Sequence, residues 1–180
     1  MARELNEVGV VGLGTMGAGI VEVLARAGLS VTAVEINDEA VARGRAHVEQ
    51  STDRAVSRGK LDEAERDAIF ERIRFSTSLE DLATAELVIE AVPERMELKA
   101  ELFAQLDKIC APDTILATNT SSLSVTELSV VTGRPSKVIG MHFFNPAPVM
   151  KLVEVVQTVV TEPSVWRTWR RWPTGWARSM

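Results

Sequence analysis

A single cysteine, Cys110, rules out an intramolecular disulfide and any multi-cysteine zinc site. No apolar run reaches eighteen residues, and the opening MARELNEV lacks the apolar segment of a signal peptide. A cytoplasmic protein with no membrane association is therefore expected. Basic residues are not in excess either, and a net charge of −5 argues against a nucleic-acid surface. There are only two histidines, no internal repeat and no low-complexity linker, and no metal site is expected. Tryptophan is missing from the first 165 residues; all four (Trp166, Trp169, Trp172, Trp176) crowd the last fifteen. Residues 161–180 also hold four arginines against one glutamate, a charge of +3 that leaves −8 on residues 1–160. So abrupt a shift marks a boundary near residue 160. With 180 residues and 46% hydrophobic content, the remainder suits one domain with a real core.

What is present begins with Glu7-Val8-Gly9-Val10-Val11, a β-rich run leading into Gly12-Leu13-Gly14-Thr15-Met16-Gly17. Apolar residues at helical spacing follow (Ile20, Val23, Leu24, Ala27) until Gly28 stops the helix, and residues 30–35 read as the next strand. Strand, glycine loop, helix, strand and acid in succession form the setting that gives a GxGxxG its meaning. Gly12 permits the tight turn, Gly14 lets backbone approach a pyrophosphate, and Gly17 lets helix pack on strand. Glu35, 23 residues after Gly12, is placed for the ribose hydroxyls of adenosine, and its charge repels a 2′-phosphate. NAD is favoured over NADP. A glycine turn that binds nothing is the competing reading, and this context disfavours it.

The gap between Glu35 and the next strand at Ile73 exceeds a simple βαβ crossover. A helical hairpin over about residues 38–72 is predicted, with Arg54, Arg58 and Lys60 at a basic end. These cations either grip an anionic group of a substrate or are solvated surface, and the sequence alone favours the second. Strands over 86–92 and 114–118 flank a helix over 96–110 whose inner face reads Leu98, Leu102, Leu106 and Ile109. Asn119 and Ser121 fall at the C-terminal end of a strand, where open parallel sheets place ligands, while Ser124 caps a short helix. Capping is also the plain reading of Ser121 and Ser122. The expected fold is α/β: a Rossmann-type, doubly wound, mostly parallel sheet with the inserted hairpin.

Residues 142–154, HFFNPAPVMKLVE, carry the most chemistry. An apolar run over 137–141 ends near His142, and a second strand covers 151–156. Two strands joined by a tight connection stiffened by Pro146 and Pro148 can bring His142 beside Glu154. A histidine with one ring nitrogen held by a carboxylate is a competent general base at neutral pH. A core histidine beside an unrelated surface glutamate fits this window equally well.

Taken together, GLGTMGAGI, IEAVPERMELK, ATNTSSLSVTEL and VIGMHFFNPAPVMKLVEVV resemble the NAD-binding domain of the short-chain L-3-hydroxyacyl-CoA dehydrogenases, above all the bacterial branch acting on 3-hydroxybutyryl-CoA. The resemblance covers roughly residues 7–160. It implies oxidation of a 3-hydroxyacyl-CoA by NAD, with acetoacetyl-CoA and 3-hydroxybutyryl-CoA as the substrate pair. It also implies that His142 is the base, Glu154 its partner, and Ser121 the residue bonding the reacting oxygen. Asn119 would lie on the nicotinamide side, Glu94 and Lys99 near the cofactor's ribose and nicotinamide ends, and Arg54, Arg58 and Lys60 against the CoA nucleotide. A 3-hydroxyisobutyrate-type dehydrogenase also opens with GLGxMG, but would show a glycine-rich substrate loop and a catalytic lysine helix instead of HFFNP.

Members of the resembled family continue for about a hundred residues into an all-helical domain that dimerises and closes over the acyl chain. The segment WRTWRRWPTGWARSM does not resemble it. Its Trp and Arg excess reads as a frameshifted or truncated product, since out-of-frame translation of a GC-rich gene enriches TGG and CGN codons. An amphipathic tail for a membrane or partner is the competing reading, but Pro173 and Gly175 would interrupt its helix. An inactive NAD-binding remnant is the alternative to an active enzyme, and the oligomeric state is left open.

Overall fold

Short apolar strands buried on both faces form the middle of one sheet, which is why they read as continuous hydrophobic runs. The computed structural model describes residues 5–150, 152–169 and 177–179. Its strands are β1 (Glu7–Val11), β2 (Ser30–Val34), β3 (Ile73–Ser76), β4 (Leu87–Glu90), β5 (Ile115–Thr118), β6 (Val138–Phe143), β7 (Val153–Val156) and β8 (Ala177–Ser179). They lie in the order β3-β2-β1-β4-β5-β6-β7-β8, and every neighbouring pair is parallel except β6–β7. The chain winds outward from β1 in both directions. The carboxyl ends of β1 and β4 therefore flank a switch point where a crevice opens.

Helices cover both faces. On one side α1 (Thr15–Arg26), α2 (Asp38–Ser57) and α3 (Glu63–Glu71) pack against Val10, Ala33, Ile89 and Ile139. On the other, α4 (Met96–Ile109) and α5 (Val125–Ser129) cover Val11, Val88, Leu116 and Val138. This is the expected doubly wound architecture. The hairpin of α2 and α3 also forms as predicted. Asn37 caps α2 by accepting from the Ala40 amide at 2.8 Å, and Asp62 with Glu65 makes a capping box at the start of α3. Arg66 Nη1 reaches back 3.1 Å to Asp53, joining the two helices.

Two details differ from expectation. The buried face of α4 is Lys99, Leu102, Phe103 and Leu106, whereas Leu98 and Ile109 are half-buried. Lysine is normally excluded from a core face, so hydrophobicity alone rotates the stripe by one position; Glu90 is what allows Lys99 inside. The link from β6 to β7 is also longer than a tight turn. It contains the cis peptide Asn145-Pro146 and one helical turn, α6 (Ala147–Met150).

The start of the Trp- and Arg-rich segment belongs to α7 (Pro163–Trp169), whose Val165 and Thr168 are buried. Just ahead of it, Glu162 accepts from the Ser136 hydroxyl at 2.7 Å. Trp172, Pro173, Gly175 and Trp176, on which the reading of an aberrant tail depends, lie outside the described residues. Among the described residues, no helix is long and apolar enough to cross a membrane, and no group of three or more His, Cys, Asp or Glu is arranged to hold a metal.

Candidate functional site

The glycine loop joins β1 to α1, and its glycines have separable reasons. Gly12 has φ +92°, and a Cβ there would lie 2.8 Å from the Ala91 carbonyl group. At Gly17 a Cβ would fall 1.7 Å from the Gly12 oxygen. Both are fixed by the fold itself. Gly14 is different: its φ is −64°, and a Cβ would meet nothing within 4 Å. No internal contact within 4 Å demands glycine at position 14, which leaves its face of the loop open for a ligand to approach. Thr15 is exposed and Met16 half-buried against the core. The first turn of α1 contains no acidic residue and no side chain caps it, so its amides can receive a pyrophosphate.

These facts predict opposite outcomes for two similar substitutions. Gly17→Ala is expected to cost roughly 1–3 kcal/mol through overpacking. Gly14→Ala is expected to leave the urea midpoint unchanged and weaken NAD binding. Titration and denaturation of both variants check it, and a destabilised Gly14→Ala would contradict the assignment.

Glu35 follows β2 and closes the loop from the side. Its Oε1 accepts from the Leu13 amide at 2.9 Å and its Oε2 from the Ile36 amide at 2.8 Å. Beyond it opens a cavity of 330 Å³ whose apolar wall includes Val11, Ile36, Val92 and Leu98. Ile36, which lines it, is a large apolar side chain 86% exposed. An apolar slot with a carboxylate at its rim, beside unfilled helix amides, matches the adenosine end of NAD. Sequence reasoning missed Ile36, Val92 and Leu98; the only available signal was an isoleucine directly after the acidic residue.

At the far side of the crevice, β6 and β7 place His142 directly opposite Glu154 in their antiparallel register. His142 Nδ1 lies 2.9 Å from Glu154 Oε2, and both side chains are 27% exposed. They are open enough to meet a ligand and sheltered enough to hold geometry. The Phe144 ring sits 4.6 Å from the imidazole, tilted by 54°. Asn119, just after β5, accepts from the Phe143 amide at 3.0 Å through Oδ1, locking the end of β6 to that of β5.

Between these two regions runs a polar network that the sequence did not disclose. Strand alternation turns Glu90 to the α4 side of β4, directly opposite Thr118 in the register with β5. Lys99 Nζ meets Glu90 Oε1 and Oε2 at 2.8 and 3.0 Å and Glu94 Oε2 at 3.1 Å, using all three ammonium donors. Thr118 Oγ1 and the Val92 amide also donate to Glu90, each at 2.7 Å. Burial pushes the Glu90 carboxyl above its ordinary range, although the Lys99 ammonium opposes it. Partial desolvation acts likewise on Glu94, but the Thr120 hydroxyl and Lys99 outweigh it and hold that carboxyl below its ordinary range. Glu94 in turn accepts from the Thr120 hydroxyl and, at 3.2 Å, from the Ser121 amide. Glu94, Lys99 and Ser121 thus belong to one network. The Ser121 hydroxyl is exposed, and no hydrogen bond joins it to His142 among the described residues.

Arg54, Arg58 and Lys60 line a second cavity, of 560 Å³, together with Arg26, Pro146 and Pro148. Its wall is therefore shared between the hairpin and the segment that follows His142. No carboxylate pairs with Arg54, Arg58 or Lys60 among the described residues; Arg54 Nε donates to the Gln50 carbonyl at 3.0 Å. Unneutralised positive charge concentrated in a chain of net charge −5 gives this cavity the chemistry to hold an anion. Sequence reasoning did not include Arg26.

Known proteins resemble this chain over most of its length. The family model described as 3-hydroxyacyl-CoA dehydrogenase, NAD binding domain, matches residues 7–178. A 3-hydroxybutyryl-CoA dehydrogenase of Mycobacterium tuberculosis is 47% identical over 163 residues, covering 90% of this chain and 57% of the relative. The 3-hydroxyadipyl-CoA dehydrogenase of Escherichia coli is 46% identical over 165 residues, 92% of this chain and 35% of that protein. The crystal structure of (S)-3-hydroxybutyryl-CoA dehydrogenase from Ralstonia eutropha superposes with a TM-score of 0.93 at 41% identity, covering 98% of this chain and 63% of that one. The chain thus spans little more than half the length of the Mycobacterium relative. With the family model matched over nearly the whole chain, the chain belongs to the 3-hydroxyacyl-CoA dehydrogenase family through its NAD-binding domain.

Proposed function

We propose that this chain oxidises an L-3-hydroxyacyl-CoA, of the 3-hydroxybutyryl-CoA class, to the 3-ketoacyl-CoA with NAD. The observation that carries the reading is the His142–Glu154 pair at 2.9 Å; the segment that joins the two, through Pro146 and Pro148, also walls a cavity with a cationic rim. Bound NAD would supply the hydride acceptor. With Nδ1–H donated to Glu154, the imidazole keeps its lone pair on Nε2 and takes the proton of the 3-hydroxyl as C3 gives up its hydride. Glu154 stabilises the imidazolium that results. The free hydroxyl of Ser121 orients the substrate oxygen, while Asn119 and Glu94 border the nicotinamide side and buried Lys99 holds Glu94 from behind. Arg54, Arg58 and Lys60 hold the phosphates of CoA, keeping the thioester arm along Pro146 and Pro148.

Steady-state oxidation of NADH by acetoacetyl-CoA tests the proposal. A second reading is a domain that binds NAD without turnover. Binding with no rate above background would select the second. Glu35→Ala is predicted to weaken NAD binding and narrow the preference over NADP; an unchanged preference would remove Glu35 from ribose recognition. A cytoplasmic location is proposed with the function; no oligomeric state is proposed for this chain. The composition of residues 161–180 supports an out-of-frame or truncated origin, testable by resequencing from the Val165 codon onward.

A further inference from the structure

One buried carboxylate plays no part in the scheme above. Glu22, in the middle of α1, is 0% exposed, and among the described residues its one hydrogen-bond partner is Arg26 one turn later, with Nη2 2.5 Å from Oε1. The pairing is single-pronged, leaving Glu22 Oε2 and Arg26 Nε buried without partners. Two ions that desolvate each other and leave polar atoms unsatisfied make a poor stability device. Compare Lys99, whose three donors are all used by Glu90 and Glu94. Arg26 commits one of five N–H donors to Glu22, and its side chain, 24% exposed, lines the cavity shared with Arg54, Arg58 and Lys60. The carboxylate thus holds the guanidinium from behind while Nη1 and the second Nη2 hydrogen stay uncommitted.

We propose that Arg26 is a phosphate-contacting residue of the basic cavity and that buried Glu22 is its positioning residue. The inference rests on reading that cavity as the seat of the nucleotide end of a CoA thioester. A guanidinium is the suited group, because its planar fork bonds phosphate oxygens in pairs. Its place in the last turn of α1 also sets it at the negative end of the helix dipole, which favours a cation there. The single-pronged pairing then has a purpose: a two-pronged contact with Glu22 would withdraw the donors from the cavity.

Calorimetric titration of the full chain with adenosine 3′,5′-bisphosphate, the nucleotide portion of CoA, is the test. Arg26→Gln is expected to weaken binding about tenfold, the worth of one charge-assisted hydrogen bond, while NAD affinity stays at the wild-type value. Because that change leaves Glu22 unpaired, the double variant Glu22→Gln/Arg26→Gln, which removes both charges, is expected to show the same loss. Glu22→Leu should weaken the bisphosphate as Arg26→Gln does. Glu22→Gln, which keeps an acceptor for Nη2, should restore it. Wild-type affinity in both Arg26 variants, with Arg54→Gln or Arg58→Gln weakened, would overturn the inference and leave the cavity reading standing. A wild-type chain that does not bind the bisphosphate would overturn both. Wild-type affinity in Glu22→Leu would overturn the positioning role.

Discussion

His142→Ala is expected to lower kcat by roughly 10²–10⁴-fold, the usual worth of a positioned general base, while leaving NAD affinity within about twofold. The two effects separate because the groups stand on different strands. Glycine loop and adenosine slot belong to β1 and β2, whereas His142 ends β6. Three strand spacings of about 4.8 Å separate β1 from β6, roughly 14 Å. Glu154→Gln should lose much less than Glu154→Ala, since an amide oxygen can still accept from Nδ1 and keep the ring oriented. The measurement is steady-state NADH oxidation with acetoacetyl-CoA alongside titration with NAD. A His142→Ala variant at the parent rate would remove the imidazole from the chemistry. Equal losses at both Glu154 variants would assign its effect to charge alone.

The parts of this site that were legible in the sequence are those fixed by local rules. A strand, a glycine turn and a helix must follow one another closely, so Gly12, Gly14 and Gly17 could be given separate roles before any coordinates. The meeting of His142 and Glu154 was also accessible. Two apolar runs separated by proline-bearing turn signals have few ways to pair, and the twelve-residue spacing falls on one register. What escaped depends on contacts between distant segments. Leu98 reads as core because its spacing is helical, yet it borders the adenosine slot. Arg54, Arg58 and Lys60 look like solvated surface until α1 and α6 bring Arg26 and Pro148 against the hairpin. Glu90 and Lys99 were hardest, because each taken alone violates the rule that charges avoid the core. Only the pairing of β4 with β5, and the packing of α4 over them, shows that they satisfy one another.

Lys99→Met should reveal how much rests on that pairing, with an expected loss of about 3–5 kcal/mol at neutral pH. Methionine keeps the length and apolar stem of lysine but removes three donors and a charge. Glu90 would then stand 0% exposed with only the Thr118 hydroxyl and the Val92 amide as partners. The pH dependence follows from the direction of the Glu90 shift. Burial already raises its carboxyl above the ordinary range, and Lys99 is the largest influence opposing that rise. Without the ammonium the folded value moves higher still. The folded state then holds a proton that the unfolded chain has released, so stability falls as pH rises from the ordinary carboxylate value through the folded one. The deficit of Lys99→Met should therefore be largest near pH 7–8 and shrink as the medium is acidified towards the ordinary glutamate value of about 4.3. Adding Glu90→Leu should recover most of it, because removing both ions leaves no orphaned charge. Urea denaturation of the three proteins across that range measures this directly. A deficit independent of pH would mean that lost packing, not an unpaired carboxylate, destabilises the variant. If the electrostatic account holds, Lys99→Met should also loosen Glu94 and with it the amide of Ser121. Stability and orientation of the Ser121 loop would then share one buried cation.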